Sequence, residues 1–323
     1  MTARSLALRA LIVAVLFAAV VLLLGTLVPG ARGRLAGADP AWLALAVALE
    51  LAACAGYALL FHVVFARPPY AIRRRRSAEI ALAELGGFAV VPAGAGGPAA
   101  RIWGLRREGM SWRDLGVRSV VHIPIFNAPY IGAALVLGVG AALDAGPGDA
   151  PLEVALAPAA VVVTATVVAV AIAAATRLRW FDRPSGWRHT LREVLRLVPE
   201  GLRDSAALFR DPRAVSGSLG FWAGDCAVLW ASFHAVGSVP PVGVIVVGYL
   251  LGQLGNVLPL PGGVGGVEPV MLGVLTASGV GASVGAAAIV CYRAIALGVQ
   301  AALGATALVA LVPPRHRPAD PAG

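Results

Sequence analysis

Hydrophobic runs of membrane-spanning length recur along this chain and constrain its fold more than any other feature. A helix needs about 20 consecutive apolar residues to cross a bilayer. Hydrophobic residues make up 59% of the 323 residues and charged residues only 13%, compared with about 25% charged residues in soluble domains. The sequence therefore predicts an all-α polytopic membrane protein, with a single integral membrane domain over 1–323. Six segments are predicted to be full transmembrane helices: 8–29, 41–65, 118–143, 153–176, 214–237 and 284–312.

Two further apolar segments, 78–100 and 242–281, are interrupted by proline and glycine. The first contains "VVPAGAGGPAAR" and the second "LPLPGGVGGVEPVM". Proline ends a helix and glycine allows a tight turn. Lipid cannot satisfy the backbone groups released at such a break, so breaks occur where protein buries them or where they line a wet cavity. Alternatively, the glycines serve only close helix packing. The residues that define the breaks are Pro92, Gly94, Gly96, Gly97, Pro259, Pro261, Gly262, Gly263 and Gly265.

The arginines indicate how these segments thread through the membrane, because cytoplasmic loops are enriched in basic residues. Five arginines lie in 67–76, five in 101–118 and nine in 177–213, whereas the connection at 144–152 has none. If both broken segments enter and return on one side as re-entrant segments, 23 of the 26 arginines are cytoplasmic. Both termini are then cytoplasmic, with an uncleaved first helix. Two short spans in 242–281 would give the same count.

The two breaks also resemble each other. They align without gaps over twelve residues, so that Arg101 falls opposite Glu268. Each break is the third element in a unit of span, span, broken segment and span, and the arginine count orients the two units in opposite directions. We therefore predict an inverted-topology repeat of units 8–143 and 153–312, an architecture common among transporters.

The loop at 177–213 combines its arginines with apolar residues at helical spacing. We expect a cytoplasmic amphipathic helix that lies on the inner leaflet, with its arginines near anionic phospholipids. A connector helix packed on the bundle is the alternative. Because the arginines of this chain lie beside hydrophobic runs, the expected partner is a membrane surface and not a nucleic acid.

Charged side chains inside a membrane are costly and face a cavity or a partner. The candidate substrate-binding residues are Arg101, Asp225, Glu268 and Arg293. An arginine guanidinium binds phosphate through two parallel hydrogen bonds. Glu268 could contact an amine or pair with Arg293, and Asp225 could be a counter-ion or a proton carrier. For Glu50, an inter-helix hydrogen bond and a functional role both remain open.

No motif for catalysis or for a cofactor is recognisable, so we expect no catalytic residues and no cofactor. The glycines of the second break superficially resemble a phosphate-binding loop, but that loop requires a lysine and the chain contains none. Its three cysteines lack the spacing of a metal site or a disulfide, so we expect no metal. Structural roles are expected for three histidines, His62, His122 and His234.

The second break, followed by "CYRAIALGVQ", resembles the integral membrane family that includes the transmembrane, flippase half of bacterial lysylphosphatidylglycerol synthases. An arginine in the last span, here Arg293, also fits this family. The first break, from Pro92 to Arg101, resembles the family's earlier glycine-rich motif, although many relatives carry an acidic residue beside the glycine there. The family's Pro-x-Pro-Gly-Gly-x-Gly-x-x-Glu pattern is matched at Pro259, Pro261, Gly262, Gly263, Gly265 and Glu268.

The resemblance implies translocation, by flipping or scrambling, of a phospholipid or a lipid-linked precursor across the cytoplasmic membrane. It does not imply aminoacyl transfer, which the bifunctional relatives carry on a separate soluble domain, so we expect a stand-alone member that is not an enzyme. The leading alternative is a non-catalytic accessory protein that recruits a cell-envelope glycosyltransferase or lipid-modifying enzyme. An enzyme acting on lipid-linked sugars, with Asp225 or Glu268 as base, and an ion-coupled solute transporter also remain open.

Overall fold

A computed structural model describes residues 28–91, 94–143, 153, 156–161, 163–164, 201, 203–257 and 263–312. The regular structure in these ranges is helical, as predicted. The predicted spans 8–29 and 153–176 and the basic loop at 177–213 lie largely outside the described residues. The helices with defined bounds are α1 (Ala31–Ala36), α2 (Pro40–Phe65), α3 (Arg74–Val90), α4 (Gly96–Arg107), α5 (Trp112–Ala142), α6 (Pro212–Ala235), α7 (Val242–Gln253), α8 (Val267–Ala277) and α9 (Ala282–Leu311), with a 3-10 turn at Leu254–Val257.

Three of the predicted spans are confirmed as long apolar helices. By length and composition, α2, the Trp112–Gly140 part of α5, and α9 are each able to cross a membrane. At the predicted 214–237 span, α6 is a continuous helix of 24 residues and carries the buried Asp225. The chain is therefore a helical membrane protein.

Helices α2 and α6 begin in the same way. Each follows an aspartate and has a proline in its first turn. Asp39 accepts a hydrogen bond from the Ala41 N–H at 2.8 Å, and Asp211 accepts one from the Arg213 N–H at 3.0 Å. The carboxylate satisfies an N–H group that the first turn leaves free, and proline fits there because it has no N–H to satisfy. The repeated Asp-Pro pair thus sets the start of both helices.

Helices α2 and α6 pack against each other in opposite directions, through glycines. A Cβ atom on Gly56 would lie 2.9 Å from the Gly217 carbonyl oxygen, and one on Gly217 would lie 2.8 Å from the Leu60 nitrogen. One helical turn or more away, a Cβ on Gly224 would lie 2.9 Å from the Ala53 Cβ. Because residue numbers fall along α2 as they rise along α6, the two helices are antiparallel.

The first broken segment folds back on itself as a hairpin of α3 and α4. A Cβ on Gly104 of α4 would lie 2.8 Å from the Ile80 side chain of α3, and one on Gly97 would lie 3.0 Å from the Glu84 carbonyl oxygen. Toward the turn, the residue numbers of the contacting pairs rise along α3 and fall along α4, so the two helices are antiparallel. We name this element the first hairpin.

The second broken segment forms an equivalent hairpin of α7 and α8. A Cβ on Gly248 of α7 would lie 2.9 Å from the Leu275 side chain of α8, and one on Gly252 would lie 2.7 Å from Met271. We name this element the second hairpin. In both broken segments the chain turns back beside itself, which is the path that a re-entrant segment has to take.

Helix α9 contacts both hairpins. A Cβ on Gly86 of α3 would lie 2.6 Å from the Gly304 Cα of α9. Toward the other end of α9, a Cβ on Gly285 would lie 3.0 Å from the Leu272 side chain of α8. Between these contacts, one small buried cluster joins the ends of both hairpins to α9: Ala89, Val264 and Leu297. The two breaks therefore meet at the middle of α9.

Gly304→Ala is expected to destabilise the protein, whereas Gly298→Ala on the same helix is not. A Cβ on Gly304 would lie 2.5 Å from the Gly86 Cα, so α3 and α9 would have to separate, while a Cβ on Gly298 has no described atom within 4 Å. Alanine favours a helix over glycine by about 1 kcal/mol, and the control carries this same gain. Thermal unfolding of the detergent-solubilised protein should give a lower Tm for Gly304→Ala only. Equal shifts in both variants would contradict the close α3–α9 contact.

Candidate functional site

Arg101 on α4 pairs with Glu84 on α3, across the first hairpin. The Arg101 Nη1 and Glu84 Oε1 atoms lie 3.0 Å apart, and the two side chains are 16% and 9% exposed. The guanidinium carbon also lies 5.8 Å from the centroid of the Phe65 ring. The Arg101 Nε is buried and has no hydrogen-bond partner among the described residues. The charge of Arg101 is thus balanced within its own hairpin, while one of its donors is unused there.

The turn of the second hairpin depends on glycine and on Glu268. Gly263 and Gly265 have φ angles of 67° and 88°, in the left-handed region that residues with a side chain disfavour. The Glu268 Oε2 accepts a hydrogen bond from the Gly265 N–H at 2.6 Å. Its position in the first turn of α8 also places the carboxylate where the helix dipole favours negative charge. Glu268 therefore satisfies backbone that the break has released.

The same carboxylate joins the second hairpin to α9. The Glu268 Oε1 accepts a hydrogen bond from the Arg293 Nε at 2.9 Å, and the side chains are only 3% and 6% exposed. The pairing that the sequence suggested for these two residues is confirmed. Removing one partner of such a buried pair leaves the other charge uncompensated, which is the costly case.

Asp225 on α6 connects three helices. Its Oδ2 accepts hydrogen bonds from the hydroxyl groups of Tyr249 on α7, at 2.6 Å, and Tyr292 on α9, at 2.9 Å. The Tyr292 oxygen in turn accepts from the Gln253 Nε2 at 3.1 Å, and the Gln253 oxygen accepts from the Asn256 Nδ2 at 2.7 Å. Hydrogen bonds thus extend from the buried carboxylate to the start of the second break.

Glu50 on α2 lies close to Asp225 on α6: a Cβ on Gly224, the residue before Asp225, would lie 3.3 Å from the carbonyl oxygen of Leu49, the residue before Glu50. Glu50 is fully buried. Its Oε1 accepts a hydrogen bond from the Gln300 Nε2 at 2.9 Å, with the Cys54 thiol at 3.6 Å. The Glu50 Oε2 and Asp225 Oδ1 atoms are both buried and have no donor among the described residues. The core therefore contains two adjacent acids, each with one oxygen that lacks a donor.

The structure brings three of the four predicted binding residues together. Glu268 and Arg293 are bonded, Arg293 interacts electrostatically with Asp225, and Arg101 is paired in the first hairpin instead. Glu84 lies inside the predicted 78–100 segment, where the search for intramembrane charges could have found it. Four motif residues lie outside the described residues: Pro92, Pro259, Pro261 and Gly262.

Two of the histidines expected to be structural are packed on aromatic rings. His122 stacks on Phe126 with ring centroids 5.4 Å apart, and His234 stacks on Trp42 at 4.0 Å. Within the described ranges, no three His, Cys, Asp or Glu side chains come together as a metal ion would require.

Comparison with known proteins gives two matches. A family model described as "Lysylphosphatidylglycerol synthase TM region" matches residues 6–304, nearly the whole chain. A "UPF0104 membrane protein" of Methanothermobacter thermautotrophicus is 41% identical over 66 residues. That alignment covers 20% of this chain and 19% of the relative, so it extends over about a fifth of the curated protein.

The ion pair of Glu268 and Arg293 should contribute far more to stability than an exposed pair. Either Glu268→Gln or Arg293→Gln alone is expected to lower the unfolding free energy by about 3–5 kcal/mol, and the double variant should regain part of that loss. The control pair is Arg75 and Glu79, joined at 3.0 Å with side chains that are 89% and 17% exposed; Glu79 also pairs with Arg76 at 3.3 Å.

For the control pair, the same substitutions should cost less than about 1 kcal/mol. Denaturant unfolding in mixed micelles measures both cycles. Additive losses in the Glu268 and Arg293 cycle, with no recovery in the double variant, would contradict a direct buried pair.

Proposed function

Because the chain belongs to the lysylphosphatidylglycerol synthase transmembrane-region family, we propose that it moves a phospholipid or a lipid-linked precursor between the leaflets of the cytoplasmic membrane by flipping or scrambling. The observation that carries this proposal is the meeting of the two broken segments at α9. Irregular backbone and buried charge come together there, beside Leu297. In a membrane protein, such a place is either sealed by protein or lines a polar path.

An inverted repeat of six spans and two re-entrant hairpins is part of the same proposal. Several features of the described helices support it: α2 and α6, the second spans of the two units, start with the same Asp-Pro pair and pack antiparallel. Each unit then continues into an antiparallel hairpin that contributes to an acid–arginine pair: Glu84 and Arg101 both lie in the first hairpin, whereas Glu268 of the second hairpin pairs with Arg293 on α9. A pseudo-two-fold axis in the membrane plane relates two repeats so that their corresponding helices run in opposite directions.

The described conformation is closed at the proposed site. Glu268 and Arg293 are both buried, so a headgroup reaches them only if the hairpins separate at the cluster of Ala89, Val264 and Leu297. A phosphate would then bind Arg101 or Arg293 through the planar guanidinium, replacing a carboxylate.

The ion pairs also favour a headgroup that carries both charges. Opening a buried pair leaves a carboxylate and a guanidinium without partners, which costs several kcal/mol. A phosphate alone would compensate only the arginine. A headgroup with a phosphate and an amine would compensate Arg293 and Glu268 together, so we propose that such lipids are preferred.

The cytoplasmic face is proposed to lie along the arginine-rich segments, with both termini on that side. Between α4 and α5, the Arg106 guanidinium lies 4.7 Å from the Trp112 ring, and that of Arg107 lies 5.0 Å from the Trp103 ring. Trp112 is 64% exposed. Tryptophan favours the membrane interface, and arginine there attracts anionic lipid, so these pairs suit contact with the inner leaflet.

The test is leaflet exchange of labelled phospholipids in proteoliposomes that contain purified protein. The wild type should exchange lipid faster than protein-free liposomes, and Glu268→Gln and Arg101→Ala should each reduce that rate at least tenfold. The matched controls are Glu79→Gln, which removes a partly exposed charge paired with Arg75 at the start of α3, and Arg32→Ala, which removes an exposed charge on α1. Both should leave the rate unchanged.

Variants are compared only after a folding check by Tm and size-exclusion chromatography. Wild-type exchange that survives both substitutions would overturn the proposed path through the breaks. No exchange above empty liposomes, with neutral, anionic and zwitterionic headgroups, would favour the accessory role. Replacing the arginines of the 177–213 loop would then be the discriminating change.

A further inference from the structure

Two buried acids, Glu50 and Asp225, lie at adjoining positions where α2 and α6 cross, and each has one oxygen without a donor among the described residues. Neither is explained by the contacts of the proposed lipid path. Glu50 lies on α2 and Asp225 on α6, where a Cβ on Gly224 would lie 3.3 Å from the Leu49 carbonyl oxygen. Where these helices cross, glycines bring their backbones into contact on neighbouring turns. The carboxyl groups are therefore held beside each other by backbone packing and cannot easily move apart.

The hydrogen-bond donors among the described residues leave one oxygen of each carboxyl group without a partner. Glu50 Oε1 accepts a hydrogen bond from the Gln300 Nε2, and Asp225 Oδ2 accepts hydrogen bonds from the Tyr249 and Tyr292 hydroxyl groups. The remaining atoms, Glu50 Oε2 and Asp225 Oδ1, have no donor among the described residues. A carboxylate oxygen can only accept, whereas a protonated carboxyl can donate. One proton between these two oxygens would satisfy both of them at once.

The net charge of the buried groups also favours a bound proton. Glu50 and Asp225 are two buried acids at the α2–α6 crossing, and Arg293, which interacts with Asp225, is bonded to a third buried acid, Glu268. With all three ionised, the single positive charge of Arg293 would leave this group of four residues with two excess negative charges inside an apolar bundle. Two carboxylates that share a site cannot both stay ionised without a large cost.

We propose that Glu50 and Asp225 form a proton-binding site, with one proton held between Glu50 Oε2 and Asp225 Oδ1 in the closed conformation. The proton stabilises the contact of α2, α6 and α9. We further propose that the proton is released to water when the hairpins separate, so that opening of the lipid path is linked to pH. This coupling rests on the proposed lipid translocation.

Among the described residues, the groups that face this pair come from α2, α6, α7 and α9. On α2 and α6 these are the thiols Cys54 and Cys226. On α7 and α9 the facing groups are Tyr249, Tyr292, Arg293 and Gln300. Tyrosine and thiol groups are neutral near pH 7 and arginine keeps its charge, so the proton between the two acids is the one that changes occupancy.

Infrared spectroscopy of the protein in nanodiscs tests the site without any transport assay. At neutral pH the wild type should show the carbonyl stretch of a protonated carboxylic acid, shifted in D₂O. Glu50→Gln and Asp225→Asn should each remove it, because the new amide donates to the remaining carboxylate. The control Glu79→Gln should leave it unchanged. Retention of the band in both core variants, or its loss in only one, would overturn a shared proton.

Stability against pH is the second measurement, and its sign follows from linkage. If the folded protein holds a proton that the unfolded chain releases at neutral pH, stability falls as pH rises. The Tm of the wild type should therefore decrease from pH 6 to pH 9, and Glu50→Gln should flatten that slope. An unchanged slope in Glu50→Gln would contradict the site.

Exchange assays across the same pH range test the coupling. Wild-type exchange should accelerate by up to about tenfold per pH unit where one proton must be lost, and the rate in Glu50→Gln should not respond to pH. A wild type without any exchange, but with the infrared band lost in both core variants, would refute lipid translocation and leave the proton site standing. Exchange that is independent of pH in the wild type would refute the coupling alone.

Discussion

Buried charge has to be neutralised by the protein itself, and the arrangement of these helices depends on how that is done. The Arg101 pair joins α3 to α4, and the Arg293 pair joins α8 to α9. Asp225 connects α6 with α7 and α9, while Gln300 connects α9 with Glu50 on α2. The hydrophobic effect alone does not select between neighbours in a membrane, because lipid tails are as apolar as leucine. The polar contacts therefore specify which helix lies beside which.

The glycines make these contacts reachable. Gly56 and Gly217 bring the backbones of α2 and α6 together, and Gly86 and Gly304 do the same for α3 and α9. Short acids such as Asp225 can meet a partner on a neighbouring helix only when the axes are close. Larger residues at the crossings would move the acids apart and leave each of them buried without compensation. Close packing and charge neutralisation are thus two aspects of one requirement.

The sequence predicted the elements better than it predicted their partners. Apolar length located α2, α5 and α9, and proline with glycine located both breaks, because these signals are local. The pairing of Glu268 with Arg293 was one of two roles that the sequence suggested for Glu268, since both residues flank one break. The Glu84 partner of Arg101 and the two tyrosine donors of Asp225 were not predicted. Their contacts depend on the rotation of each helix about its axis and on the path of the chain through the hairpins. The pattern of residues along the sequence does not contain that information.

Two kinds of neutralisation coexist in this core, and they differ in what they require from the surroundings. An acid–arginine pair such as Glu268 with Arg293 carries its own countercharge. Two adjacent acids such as Glu50 and Asp225 can approach neutrality only with a proton taken from water. An ion pair can exchange partners with a charged headgroup, because both of its members persist. An acid pair responds instead to the proton concentration on whichever side admits water. A bundle that contains both can bind a headgroup at one place and sense pH at the other, with α9 in contact with each.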